Sequence, residues 1–214
     1  MKFISLGQGC LAAFHLRAYG LKNQETHFFD WIVASQKTVV EVFSIPTEKD
    51  LRTALSTDVE FEDELFEGHK AFRCKRFDLL RSVHDLPPNG DRTDLFQAYF
   101  VDKYARRYVR LMDELTTTTK PVVFVMTNQA YHDAEHEETL RLMDLWNIRF
   151  PSLRYHLVVF VETTCDTRYS DTDNMTWIRI QDYLLAHPPS VVHWYLNQYD
   201  WKRMFTHMLH KVHK

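Results

Sequence analysis

The stretch Phe3-Ile4-Ser5-Leu6-Gly7-Gln8-Gly9-Cys10 decides how the rest of the chain is read. Phe3 to Leu6 is a short apolar run with the length of one central strand. Gly7 and Gly9 break it. From Cys10 the pattern turns helical, with Leu11, Phe14, Leu16 and Leu21 marking an apolar face around Gly20. Strand, glycine turn and helix in that order place Cys10 at or just before a helix N-terminus. Unpaired N–H groups and the positive end of the macrodipole collect there. Such a position lowers a thiol pKa and favours the nucleophilic thiolate. The alternative is a small apolar residue packed beneath the turn.

Working outward, His27-Phe28-Phe29-Asp30-Trp31-Ile32-Val33 is an aromatic knot around one carboxylate, expected to fold back near the end of the first strand. Ser35 can cap a helix that stops at Pro46. From Thr47 to Gly68 the chain is acidic and weakly periodic, which reads as a solvated face. Residues 69–91 read as irregular and end in the loop signal His84-Asp85-Leu86-Pro87-Pro88-Asn89-Gly90-Asp91. Asp94 can cap a helix through Leu115 that carries the basic cluster Lys103, Arg106, Arg107 and Arg110. A helix from about His136 to Trp146 has Leu140, Met143 and Leu145 as its expected buried side. The last helix is expected from Val191 to Val212.

Three more apolar runs, near 121–126, 155–161 and 176–180, lack polar alternation and are separated by helices. With residues 2–6 they predict a central, mostly parallel sheet covered on both faces: a three-layer α/β fold, in a single domain spanning 1–214. Ligands of such sheets sit beyond the carboxyl ends of the strands. Those ends hold Gly7 to Cys10, Asn128 and its neighbours, Glu162-Thr163-Thr164 and Gln181-Asp182.

Composition excludes several functions. A net charge of −3 over 214 residues leaves no basic footprint for nucleic acid or an anionic membrane. No stretch is long and apolar enough to cross a membrane, and the N-terminus lacks a signal-peptide core. Cys10, Cys74 and Cys165 are odd in number and widely spaced, which suggests neither a disulfide framework nor a cysteine zinc site. The expected compartment is a reducing cytoplasm.

Ser5-Leu6-Gly7-x-x-Cys10, the Leu-x-x-x-Gly ending at Gly20, and Phe29-Asp30-Trp31 resemble the DUF1796 family, described as "putative papain-like cysteine peptidase". The loop at His84-Asp85, the helix Tyr104-Ala105-Arg106-Arg107-Tyr108, the strand Val122-Val123-Phe124-Val125 and the tryptophans Trp194 and Trp201 fit as well. The resemblance implies Cys10 as nucleophile, His84 as its partner, a peptide or small amide or ester as substrate, and a papain-like α+β architecture as the alternative fold. The strand reading instead puts the cysteine immediately after strand one, as in esterase-like hydrolases.

A Cys–His pair needs imidazole within reach of sulfur and a third group holding the ring in one tautomer. His84 with Asp30 or Asp85 is the expected set. Asp30 has a second reading, a buried carboxylate accepting bonds from the glycine-turn N–H groups. Gly7, Gly9, Asn128 and Arg107 are the expected oxyanion or anion-binding positions. The other histidines weighed are His27, His15 and His69. His132-Asp133-Ala134-Glu135-His136 has the H-x-x-E-H spacing of a zinc peptidase. The same residues suit a charged helix start, so no metal and no cofactor are expected. A non-catalytic domain binding an anionic ligand at the Gly7–Cys10 turn is the competing function.

Overall fold

The computed structural model describes residues 1–7, 9–22, 25–66, 69–82, 93–128, 133–161, 171–186 and 199–213. Strand β1 (Lys2–Ser5) leads through the glycine turn into helix α1 (Leu11–Ala18). There follow β2 (Val33–Ala34), α2 (Gln36–Ser44), α3 (Glu48–Ser56), β3 (Val59–Phe66), β4 (His69–Cys74), β5 (Leu80–Ser82) and α4 (Thr93–Thr117). The chain continues with β6 (Val122–Asn128), α5 (Asp133–Arg149), β7 (Tyr155–Val161), β8 (Met175–Arg179) and α6 (Trp201–Val212).

The expected parallel sheet is present. Its order is β1-β6-β7-β8, and every pairing is parallel. Ile4 pairs in register with Phe124, Phe124 with Leu157, and Leu157 with Met175, so these four share one face. They pack into the main core beneath α4 and α5, where Trp146 stacks on Phe124 at 4.0 Å between ring centroids. Phe3, Val123, Val125, Val158, Phe160 and Ile178 face the other way, into a second core with Leu16 of α1 and Trp201, Met204 and Phe205 of α6. Strands buried on both faces have no reason to alternate, which is why they read as continuous apolar runs.

A second, antiparallel sheet, in the order β2-β5-β4-β3, replaces what read as an acidic surface and an irregular segment. The result is a mixed α/β fold. The acidic stretch does alternate at its start: Val59 and Phe61 pair with Cys74 and Phe72, with Glu60 opposite Arg73 between them. A bulge between Glu62 and Phe66 then breaks the period. Phe72 and Leu80 join the main core against Phe96 and Phe100 of α4, with Phe72 and Phe100 at 4.0 Å.

Helix ends follow local chemistry. Ser35 caps α2 as expected, its side chain accepting from the Thr38 N–H at 3.1 Å. Thr47 does the same for α3, accepting from the Asp50 N–H at 3.2 Å. Helix α4 starts at Thr93, one residue before Asp94, the expected cap. The final helix begins at Trp201 rather than near 191. Asp200 caps it, accepting from the Arg203 N–H at 2.9 Å, and Tyr199 forms an isolated bridge with Leu184. The stretch 191–198 lies outside the described residues. On α5 the buried stripe is Thr139, Leu142 and Trp146, continued by Phe150 just past its end, while Leu140 is exposed. The stripe keeps the three-to-four spacing of one helical face, which Leu140, Met143 and Leu145 do not.

Candidate functional site

Cys10 sits where the parallel sheet places its ligands. Leu6 N–H continues the ladder to the Val125 carbonyl at 2.9 Å, and the chain then leaves the sheet through Gly7 at φ +87° and Gly9 at φ +123°. Both angles lie where side chains other than glycine are strained. Cys10 is the N-cap residue of α1, and its carbonyl accepts the Phe14 N–H at 2.8 Å. The Cys10 side chain makes no capping hydrogen bond to the first turn of α1.

The aromatic knot folds back against this turn. A Cβ on Gly7 would stand 3.2 Å from the Ala34 Cβ and 3.6 Å from Phe29 Cδ1. The start of α2 is thereby brought beside the turn. There Gln36, almost fully buried, donates to the Thr139 hydroxyl at 2.8 Å. Ser5, the last residue of β1, is fully buried, and its hydroxyl has no hydrogen-bond partner among the described residues. Sequence reasoning missed both. A polar residue inside an apolar run was the available signal for Ser5; Gln36 carried none.

Burial opposes the lowering of the thiol pKa that the helix-start position predicts. Cys10 is 9% exposed, and burial pushes its pKa up to about 11, with a backbone hydrogen bond opposing. A helix as short as α1 brings only a fraction of a macrodipole, and desolvation of the thiolate outweighs it. Cys74 reaches the same value by burial, but its thiol donates to the Ala54 carbonyl at 3.3 Å and is a packing residue of β4.

Asp30 is fully buried, and among the described residues its contacts are with Lys22, His27 and Arg17. One oxygen meets the Lys22 ammonium, the other accepts the His27 N–H at 2.8 Å, and Arg17 stands 3.6 Å away. Lys22, itself buried with its pKa lowered chiefly by desolvation, was not anticipated. The His27 ring meets Glu114 of α4 at 2.6 Å. His15 stacks on Trp201 at 3.9 Å, on the α6 side of the sheet.

Arg107 on α4 lies over the Tyr104 ring at 4.9 Å, and its Nη1 is buried without a hydrogen-bond partner among the described residues. The basic cluster and the acidic stretch are engaged separately. Arg106 pairs with Asp102 one turn back at 3.2 Å, whereas Glu60 of the acidic stretch pairs with Arg73 and Lys75. Asn128 ends β6 opposite Val161, on the sheet edge that Gly7 to Cys10 also occupy. His84, Asp85, His132 and Cys165 lie outside the described residues. His136, near the start of α5, has its ring 5.9 Å from that of Trp177.

The class of protein is therefore an α/β domain with a cysteine at a helix start, just past the first strand of a parallel sheet. The chain belongs to the DUF1796 family, described as "putative papain-like cysteine peptidase", whose model matches residues 1–165 of 214. Strand β8 and helix α6 lie beyond the matched span. Neither the curated proteins nor the solved structures gave a match. Among the described residues no helix is long and apolar enough to cross a membrane.

Proposed function

We propose that this protein is a thiol-dependent hydrolase of the cysteine-peptidase type, acting on a peptide or small amide or ester through Cys10. The observation that carries this reading is the position of Cys10 at the start of α1, beyond the carboxyl end of β1, in a chain of this family. With the thiol pKa near 11, a resting thiolate is not the nucleophile at neutral pH. The proton must leave as sulfur attacks, and His84 is the base assigned to take it, oriented by Asp85.

In the acylation step Sγ bonds to the carbonyl carbon while its proton passes to His84. The carbonyl electron pair moves onto oxygen, held by N–H groups at the Gly9–Leu11 turn, with Asn128 beside it. Collapse expels the amine or alkoxide, which takes the proton back from His84 and leaves a thioester on Cys10. Water, activated by the same imidazole, then releases the acid. An acyl transferase differs only in the final acceptor. Asp30 has no part in this scheme, because its oxygens are engaged by Lys22 and the His27 backbone.

A nitrophenyl ester tests the reading. One equivalent of nitrophenolate released in a burst, with the acyl group mapped to Cys10 and absent from Cys10→Ala, supports it. Acylation that ignores Cys10→Ala removes it.

The high thiol pKa also favours a second reading, in which the turn binds an anionic ligand without chemistry and Cys10 is a packing residue. Arg107, whose Nη1 has no hydrogen-bond partner among the described residues, is the cation assigned to that ligand. Stabilisation by inorganic phosphate that survives Cys10→Ala and weakens in Arg107→Ala would favour it over hydrolysis.

A further inference from the structure

At the opposite edge of the sheet, where β1 and β6 begin, Glu25, His27 and Glu114 converge beside Lys2. We propose that Glu25, His27 and Glu114 form a binding site for a divalent transition-metal ion of the zinc or manganese class. The site is remote from Cys10 and independent of the thiol chemistry.

One donor atom from each of the three residues lies within 4.8 Å of the other two. Donors sharing a zinc ion at bond lengths of about 2.0–2.2 Å stand roughly 3.3 Å apart. Closing the site therefore asks only for a small movement, and Glu25 is exposed and able to make it. His27 and Glu114, with side chains 5% and 12% exposed, are held together by a 2.6 Å Nε2–Oε2 hydrogen bond, so a shared ion would replace that proton and spread the two atoms to the ligand separation. They come from different parts of the chain, the loop after α1 and the last turns of α4.

Two groups here are left without partners. The His27 Nδ1 is buried and has no hydrogen-bond partner among the described residues. The Glu25 side chain has no ion pair or hydrogen bond among them either, although it stands close to a second carboxylate. Like charges at such separations repel, and a shared cation relieves them. A cavity of about 110 Å³ lined by Lys2, Lys22, Glu25, His27 and Glu114 leaves room for water molecules to complete a coordination shell.

One imidazole and two carboxylates suit a borderline ion, since thiolate sites select softer metals and all-oxygen sites harder ones. The two carboxylates balance the charge of the ion. Lys2, 2.5 Å from Glu114 Oε1 and 38% exposed, is the competing cation and can swing into solvent when metal enters.

The test is calorimetric titration of ZnCl₂ into the chelator-stripped full chain at neutral pH, with MnCl₂ and CaCl₂ for comparison. One saturable zinc site is expected, weaker for calcium and unchanged in Cys10→Ala. Glu25→Gln and Glu114→Gln should each lower the affinity by about tenfold or more, the scale at which even outer-shell partners act. Lys2→Met should raise it. Glu25 is on the surface, so that variant keeps the test valid should a buried substitution unfold the chain. No saturable site, a site lost in Cys10→Ala, or one indifferent to both glutamate variants would each overturn the proposal.

Discussion

The Ala34 methyl stands 3.2 Å from where a side chain on Gly7 would begin. The turn after β1 thus lies against β2, two residues before α2 begins. Gly7→Ala meets both this contact and a φ of +87°. We expect it to cost about 1–3 kcal/mol in urea unfolding. At Gly9 a Cβ meets nothing within 4 Å, so Gly9→Ala carries only the backbone strain and should cost less. Equal costs for the two would show that the Ala34 contact is soft.

Asp30 and Lys22 form an ion pair with essentially no exposure on either side. Removing one partner leaves a buried charge, so Asp30→Asn should destabilise by about 3–5 kcal/mol. The double variant Lys22→Met/Asp30→Asn should recover part of that loss. A double variant no more stable than Asp30→Asn alone would mean that the His27 N–H bond, not the ion pair, is what Asp30 provides.

Glu114 is held well below the ordinary carboxylate range, to about 2, chiefly by the hydrogen bond from His27 and then by Lys2, against the opposing effect of burial. A depressed folded-state pKa stabilises above the unfolded value, near 4.5, and the benefit disappears as pH falls toward 2. In chelator-treated protein, wild type should exceed Glu114→Gln by on the order of 2–3 kcal/mol at neutral pH. That margin should shrink steadily below pH 4.5. A margin independent of pH in denaturant melts would contradict the assignment.

The parallel sheet was legible because its strands are buried twice. Val122 to Met126 and Leu157 to Val161 are fully or almost fully buried, so nothing polar interrupts the run. The antiparallel sheet was hidden for three physical reasons. β2 and β5 are only two and three residues long. β3 places glutamates between its apolar residues, and its bulge shifts the alternation. Only Val59 to Glu62 alternates before the bulge, the shortest run that periodicity reads as a strand. The site was half legible in the same sense. Strand, glycines and helix located Cys10, but its burial, which reverses the expected direction of the thiol pKa, depends on α2 and the aromatic knot folding onto the turn. The Lys2–Glu114–His27 cluster joins residues distant in sequence, and no local motif announces it.

The most direct test of the central claim is the pH dependence of iodoacetamide alkylation at Cys10, read by peptide mass mapping in wild type and His84→Ala, with Cys74 as the buried reference. A base-assisted thiol predicts a neutral-pH limb for Cys10 governed by an imidazole pKa near 6.5. In His84→Ala only the limb rising toward about 11 should remain. A single rise toward about 11 in both proteins, with Cys10 as unreactive as Cys74 at neutral pH, would contradict it and leave Cys10 a residue of the core.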